Sequence, residues 1–397
     1  MAPSVVLDPP SQKSIQTEDH PQIENSIAQS KQTTISTPLP NPSLQVTAEH
    51  QLKQVEAPVY APGLGEVLLH IKATGVCGSD IHFWKHGRIG SLVVEGDCIL
   101  GHEAAGIVLQ CGEGVTNLKQ GDRVAVEPGV PCGKCFLCMD GRYNLCEDVQ
   151  FSGVYPYHGT IQRYKLHPAK WCHKLPDNVT YSEGALLEPL SVVMHGIKSA
   201  GLSLGCGAVI CGAGPIGLIA LAAARASGAH PLVITDLESR RLEFAKRFVP
   251  SCVTYQVDRN LDALSNAQQI RSLFGAEEYS APDTILECTG VENSIVTAAY
   301  TARRGGTVMV IGVGREIMNN LPFMHLSLAE IDLKFINRYR DTWPAGLQCL
   351  TGNILDLKPL ISHTYPLEKA LDALHTCSDL KNGSIKVQVV DEFEKVL

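Results

Sequence analysis

An α/β fold in two lobes, a β-rich first lobe followed by a doubly wound parallel sheet, is what this 397-residue sequence predicts. Three observations point there. Short strand-like runs broken by Gly and Pro fill residues 43–190. From about residue 205, apolar runs of strand length alternate with helix-length segments. At that change of rhythm the turn Gly212-Ala213-Gly214-Pro215-Ile216-Gly217 joins an apolar run to an Ala-rich one.

In the first lobe, residues 66–71 and 123–126 read as strands, separated by long segments suited to functional loops. In the second, 208–211 reads as a strand and 216–227 as a helix, then 232–235 as a strand and 240–248 as a helix. Residues 284–288, 307–311 and 331–336 continue the strand series. Such alternation implies a parallel sheet covered by helices. Beyond residue 339, a helix over 366–375 and a strand over 385–390 make too short a stretch for a domain, so it is expected to return to the first lobe. The resulting division is 43–190 completed by 338–397, and 191–337. Residues 1–42, rich in Ser, Pro, Gln and Thr, bury too little apolar surface to offset chain entropy and read as a disordered extension.

The composition, 44% hydrophobic and 19% charged, suits a globular chain. A net charge of -8 disfavours nucleic acid as a partner, because phosphate binding needs a basic face. The longest apolar stretch, 208–224, is interrupted by Gly212, Gly214, Pro215 and Gly217, so no membrane span is expected. No basic flank leads into an apolar run at the N-terminus. Fourteen cysteines without an export signal read as reduced thiols or metal ligands, and the expected location is cytoplasmic.

The glycine turn has the context that a dinucleotide fingerprint requires, a strand before it and a helix after it. Gly212 allows the tight turn, Gly214 lets the backbone approach a pyrophosphate, and Gly217 lets helix and strand pack closely. Pro215 fits the first helical turn, whose N–H needs no partner. Asp236, nineteen residues beyond Gly217, can bond both ribose hydroxyls and repel a 2′-phosphate, which favours NAD over NADP. Arg240 and Arg241 keep the second cofactor open, since an arginine there can accept that phosphate.

Cys132, Cys135, Cys138 and Cys146 follow the spacing C-x2-C-x2-C-x7-C. Four thiolates fill a tetrahedral zinc site and leave no position for substrate, so the role is structural. Redox dithiols are the first alternative and an iron–sulfur cluster the second. Cys77, His102 and Glu103 are also plausible zinc ligands, and three protein ligands leave the open position that catalysis needs. Neighbours on a strand point to opposite faces, so His102 and Glu103 share an ion only at a bend, which Gly101 can supply. Taken alone, this triplet reads equally as a buried Cys, a core His and a surface Glu.

The pieces GVCGSDIHFWKHG, GHEAAGIV, GDRVAVEPG, GRYNLCE, GALLEPLSV, GAGPIG and DTWP occur in this order. Together they resemble the zinc-containing medium-chain dehydrogenases, and within them the polyol branch, over residues 43–391. The resemblance implies a GroES-like catalytic domain plus a Rossmann domain, a homotetramer, and two zinc ions with NAD. It implies oxidation of a secondary hydroxyl of a sugar alcohol, with L-arabinitol preferred and sorbitol or xylitol as alternatives. Cys77, His102 and Glu103 would then hold the catalytic zinc, with Glu188 beside it. The four clustered cysteines would hold the second ion. Asp236 and Arg241 would contact the adenosine ribose, and Pro215 and Ile216 the pyrophosphate. Ile311, Val313, Asn337 and Arg338 would line the nicotinamide half, and Phe83, Glu188, Arg338 and Tyr339 the substrate end. An alcohol yields hydride only after losing its proton, which a Lewis-acidic zinc promotes. Ser79 and His82 match a proton relay in such enzymes, though His82 also reads as a packed histidine. Leu92, Asn337, Arg340 and the segment 153–159 depart from the branch near the substrate tail.

Overall fold

The computed structural model describes residues 39–379 and 381–393. Most of the expected extension therefore lies outside the described residues. Its boundary moves, however: Asn41 is buried and Pro42 opens the strand Pro42–Val46. The Asn41 side chain donates to Gln162 Oε1 at 3.2 Å and accepts from the Tyr164 N–H at 2.8 Å. The first lobe thus begins before residue 43.

The first lobe is built on a seven-stranded sheet centred on the ten-residue strand Glu66–Gly75. Glu103–Cys111 and Lys386–Val390 flank it, both antiparallel. Arg123–Val126, Cys172–Lys174, Ile361–Pro366 and Tyr164–Pro168 complete the sheet. The register sets up the chemistry. Gly75 faces Glu103 on one side and Gln388 on the other, so three chain segments far apart in sequence converge beside Cys77. An added Cβ on Gly75 would collide with the Glu103 carboxylate, so only glycine leaves room for that side chain.

The second lobe is a six-stranded, all-parallel sheet. Its spatial order is Val253–Gln256, Leu232–Asp236, Ala208–Cys211, Thr284–Glu287, Thr307–Val310 and Asp332–Phe335. Read in chain order this is 3-2-1-4-5-6, the dinucleotide-binding arrangement, with its switch point between Ala208–Cys211 and Thr284–Glu287. The inner strands are buried on both faces, which is why their sequences are unbroken apolar runs. Val253–Gln256 is an edge strand with exposed ends and no such run, so its sequence gave no strand signal.

One apolar core joins the lobes. The helix Leu187–Ala200 runs through it, with Leu187, Leu190 and Val193 fully buried. They meet Ala105 and Ala125 of the first lobe, Ile210 and Leu218 of the second, and Trp343. Each such leucine contributes about 1.5–3 kcal/mol by leaving water. The capping box of Thr180 and Glu183 fixes the preceding short helix Tyr181–Ala185. The expected helix over 366–375 is corrected: residues to Pro366 belong to a strand, and the helix is Ala370–Ser378. Pro366 ends the strand because it cannot continue the ladder on both sides.

Candidate active site

Cys77 caps the helix Gly78–His86, and His102 and Glu103 lie where Gly101, at φ 93°, bends the chain into the strand Glu103–Cys111. Ligand atoms of Cys77, His102 and Glu103 all fall within 4.8 Å of one another. Asp80, fully buried, arranges this corner. It accepts from the Cys77 N–H at 2.9 Å and the Gly101 N–H at 3.0 Å, and its Oδ1 lies 3.6 Å from His102 Nδ1. That separation is an ion-pair distance and not a hydrogen bond, and Nδ1 has no hydrogen-bond partner among the described residues, unlike Nε2. Ser79 Oγ is 3.3 Å from that Nε2.

Buried acidic groups crowd the point. Burial, then the Glu103 carboxylate, push the Cys77 thiol up to about 12. Burial likewise raises the Glu188 carboxyl to about 7, with His102 opposing and Glu103 adding to the shift. A cation held here reverses that balance and makes the thiol a thiolate near neutral pH. The donor set of sulfur, imidazole and carboxylate fits zinc. Glu188 sits in the first turn of Leu187–Ala200, where the helix dipole favours an anion.

The other predicted residues fall in three groups. Arg338 lies with its guanidinium 3.8 Å from the Phe151 ring centroid, and that ring is 5.6 Å from the His102 ring. Tyr339 is buried, and its hydroxyl lacks a partner among the described residues. Glu127, Tyr143, Asn144 and Phe151 join Arg338 and Tyr339 around one pocket. His82 stands on the exposed side of its helix, its ring 5.5 Å from that of His86, so the packed-histidine alternative is set aside. Phe83 is packed in the first-lobe core with Val76 and Leu100. Leu92 is exposed on a two-residue strand.

The glycine turn meets the sheet at its switch point. Gly212 has φ 94°, and a Cβ on Gly217 would strike the Gly212 carbonyl. Pro215 opens the helix Pro215–Ala226, whose N-cap is Gly214, and Ile216 follows it. Asp236 ends its strand, accepting from the Ala213 N–H at 2.7 Å and the Glu238 N–H at 2.9 Å. Arg241 Nη1 lies 4.0 Å from Asp236. Ile311 packs against Gly196, while Val313 is exposed beyond the same strand.

The four clustered thiols also lie within 4.8 Å of one another. Backbone N–H groups point at the sulfurs: Cys135 at Cys132 (3.3 Å), Cys138 at Cys135 (3.5 Å) and Cys132 at Cys146 (3.4 Å). Such donors, led by the Lys134 N–H, bring the Cys132 thiol down to about 6. Burial pushes the Cys138 thiol the other way, up to about 12, and raises Cys146, so the four do not ionise alike; it is their convergence on one point that suits a closed zinc site.

Comparison with known proteins agrees. Residues 63–177 match the alcohol dehydrogenase GroES-like domain, and 215–352 match the zinc-binding dehydrogenase family. L-Arabinitol 4-dehydrogenase of Aspergillus oryzae is 50% identical over 337 residues, 84% of this chain and 88% of that protein. The chain belongs to the zinc-containing medium-chain dehydrogenases, in their polyol branch. Sorbitol dehydrogenase of Bos taurus is 43% identical over 88% of this chain and 96% of its own. The crystal structure of L-idonate 5-dehydrogenase from Escherichia coli superposes with a TM-score of 0.79 at 27% identity, covering 89% of this chain and 98% of that one.

The dehydrogenase contains site residues that its sequence did not advertise. Lys386 Nζ lies 2.8 and 2.7 Å from the two Glu103 oxygens and donates to the Val76 carbonyl at 3.3 Å. Phe151 forms the floor under Arg338. Glu287, buried at the switch point, accepts from the Thr289 and Gly290 N–H groups and from Ser294, and so shapes the loop facing the glycine turn. Nothing local marks these residues; a strand lysine and a lone aromatic become site residues only through pairing with distant strands.

Proposed function

We propose that this dehydrogenase oxidises a secondary hydroxyl of a sugar alcohol to the ketone with NAD as acceptor, L-arabinitol being the preferred polyol. The observation that carries the reading is the meeting of Cys77, His102 and Glu103 at one buried point, with Glu188 in the same electrostatic field and Arg338 over Phe151 beside it. Cys77, His102 and Glu103 would hold a catalytic zinc, and Cys132, Cys135, Cys138 and Cys146 a structural one. When bound, zinc supplies Lewis acidity and the nicotinamide a two-electron acceptor.

The chain's own residues bind, orient and move the proton. Glu188, raised by burial, accepts a proton near neutral pH more readily than an exposed carboxylate does. Ser79, in reach of His102 Nε2, lies in the first turn of the helix Gly78–His86, which carries His82 on its exposed side further out. Arg338 and Tyr339 offer donors to the remaining hydroxyls of a polyol, which a simple alcohol would leave unused. Phe83 would act from the core behind this wall. Asp236 would accept from both ribose hydroxyls, and Arg241 would contact the adenosine ribose beside it. The glycine turn would take the pyrophosphate, and Ile311, Val313, Asn337 and Arg338 would border the nicotinamide.

The fungal L-arabinitol 4-dehydrogenases match at 46–50% identity against 42–43% for the sorbitol dehydrogenases, which supports the first polyol. The experiment is kcat/KM for L-arabinitol, xylitol, D-sorbitol, galactitol and ethanol, each with NAD and NADP. L-Arabinitol with NAD should lead. A lead for ethanol, or for NADP, would sink the reading.

Among the described residues, no helix is long and apolar enough to cross a membrane; a cytoplasmic location is part of the proposal. So is a homotetramer. The edge strand Asp332–Phe335 and the helix Phe323–Leu328 expose Phe335, Phe323 and Leu328, an apolar edge of the kind another copy covers. A monomer by light scattering would remove that part.

A further inference from the structure

The lobe formed around the four clustered cysteines reaches across to residues 337–341, the connection between the parallel sheet and the helix Trp343–Thr351. Three hydrogen bonds join them. Asn144 Nδ2 donates to the Asn337 carbonyl at 2.8 Å, Arg340 Nη1 donates to the Gly141 carbonyl at 3.2 Å, and the Asp341 N–H donates to the Tyr143 hydroxyl at 2.9 Å. Arg340, one of the departures from the polyol branch, supplies one of the three.

The connection needs such a hold. Arg338 and Asp341 are non-glycine residues in the left-handed region, at φ 55° and 52°. A side chain stays there only where its surroundings over-determine the backbone. Between them, Tyr339 packs edge-on against Trp343, with ring centroids 5.7 Å apart. Trp343 stacks on His173 at 5.1 Å, and His173 Nε2 lies 2.7 Å from Glu127 Oε2. The Tyr143 hydroxyl closes the circuit by donating to Glu127 Oε1 at 3.2 Å. Backbone bonds on one side and an aromatic stack on the other both lead back to Tyr143.

We propose that Tyr143 and Asn144 are positioning residues for substrate and cofactor: they hold the 337–341 turn so that Arg338 and Tyr339 face the reacting centre. This rests on the reading of Arg338 and Tyr339 as the substrate end. The cysteine lobe therefore sets affinity as well as stability. The side-chain hydrogen bonds of the two residues go to Glu127, Asn337 and Asp341 and not to Cys77, His102 or Glu103, so the step on the hydroxyl carbon is left intact while the polyol tail loses its partner.

The test uses the full, zinc-loaded enzyme with Asn144→Ala, Tyr143→Phe, Arg338→Ala and, as control, Arg142→Ala, whose side chain is exposed and paired with Asp140. Asn144→Ala and Tyr143→Phe should raise KM for the polyol roughly 10-fold and weaken NADH binding by fluorescence titration roughly 3-fold, with kcat falling less than about 3-fold. Zinc content should not change, and Arg142→Ala should match wild type throughout. If Arg338→Ala raises KM but Asn144→Ala and Tyr143→Phe do not, positioning by the lobe is wrong. If Arg338→Ala itself leaves KM unchanged, the underlying substrate assignment is wrong. If the two lobe variants lose kcat, zinc and thermal stability together with no selective change in KM, the role is only structural and the proposal is overturned.

Discussion

Lys386 Nζ bridges both carboxylate oxygens of Glu103, at 2.8 and 2.7 Å, across 283 residues of chain. Both side chains are almost wholly buried. Burial alone would depress the ammonium, but Glu103 and then Cys77 outweigh it and raise its pKa. Lys386 thus supplies positive charge beside the buried carboxyls of Glu103, Asp80 and Glu188. Removing one partner of such a pair costs about 3–5 kcal/mol. Lys386→Met should therefore destabilise the protein by that order in urea. The loss should be larger after chelator treatment, because an ion at the cluster compensates Glu103 when Lys386 cannot. Lys386→Arg should recover most of it. Equal losses with and without chelator would show that Lys386 and the metal do not share Glu103.

The two clusters proposed to hold zinc should respond differently to loss of one thiol. Cys146 is buried where the four sulfurs of its loop converge, so Cys146→Ser should release the ion proposed there and loosen residues 132–146. Elemental analysis should fall from about two zinc ions per chain to about one, with a Tm drop of several degrees. Cys77→Ser should show the same zinc loss and an activity loss of at least roughly 100-fold, yet hold Tm within about 2 °C, because three strands fix that corner without the ion. A Cys77→Ser protein that melts early would instead assign Cys77 to packing.

The sequence disclosed whatever local backbone chemistry demands. The glycine turn was legible because only glycine tolerates φ 94° at Gly212 and the close approach at Gly217. The four cysteines were legible because their spacing confines them to one loop. Buried parallel strands announced themselves as apolar runs, whereas Val253–Gln256, half exposed at the sheet edge, did not. The meeting of Cys77 with Glu103 rested on resemblance, since the residues alone allowed a bland alternative. Lys386 reaches the cluster through the pairing of Gln388 with Gly75, and Tyr143 reaches the 337–341 turn only in the folded chain. Such contacts are set by register, which no short window of sequence contains.

Asp236 should decide the cofactor. Its carboxylate already organises the turn through the Ala213 and Glu238 N–H groups, and it faces Arg241 at 4.0 Å. Asp236→Ala would remove the two charge-assisted bonds proposed for the ribose and would free Arg241. kcat/KM with NAD should fall roughly 10- to 100-fold, and kcat/KM with NADP should rise. Adding Arg241→Ala should abolish the gain with NADP. If Asp236→Ala lowers both cofactors equally, the residue only shapes the turn.

Acid should act on Asp391, which ties the C-terminal segment to the first lobe. It accepts from Arg163 Nε at 2.6 Å and from the Phe393 N–H at 3.1 Å, and lies 3.0 Å from His70 Nε2. Burial alone would raise its pKa, but the His70 and Arg163 partners overcome this and bring it down to about 2. A depressed carboxylate contributes stability that is complete above the unfolded value of about 3.9 and lost as pH falls through the folded value. Asp391→Asn lacks that contribution at every pH. The stability difference between wild type and Asp391→Asn should therefore be flat from pH 7 to about 5. It should then shrink by about 1–2 kcal/mol between pH 4 and 2, partial solvent access having screened the rest. Zinc release in acid weakens both proteins alike and cancels in the difference. A gap that stays constant down to pH 2 would mean that Asp391 contributes by shape, not by charge.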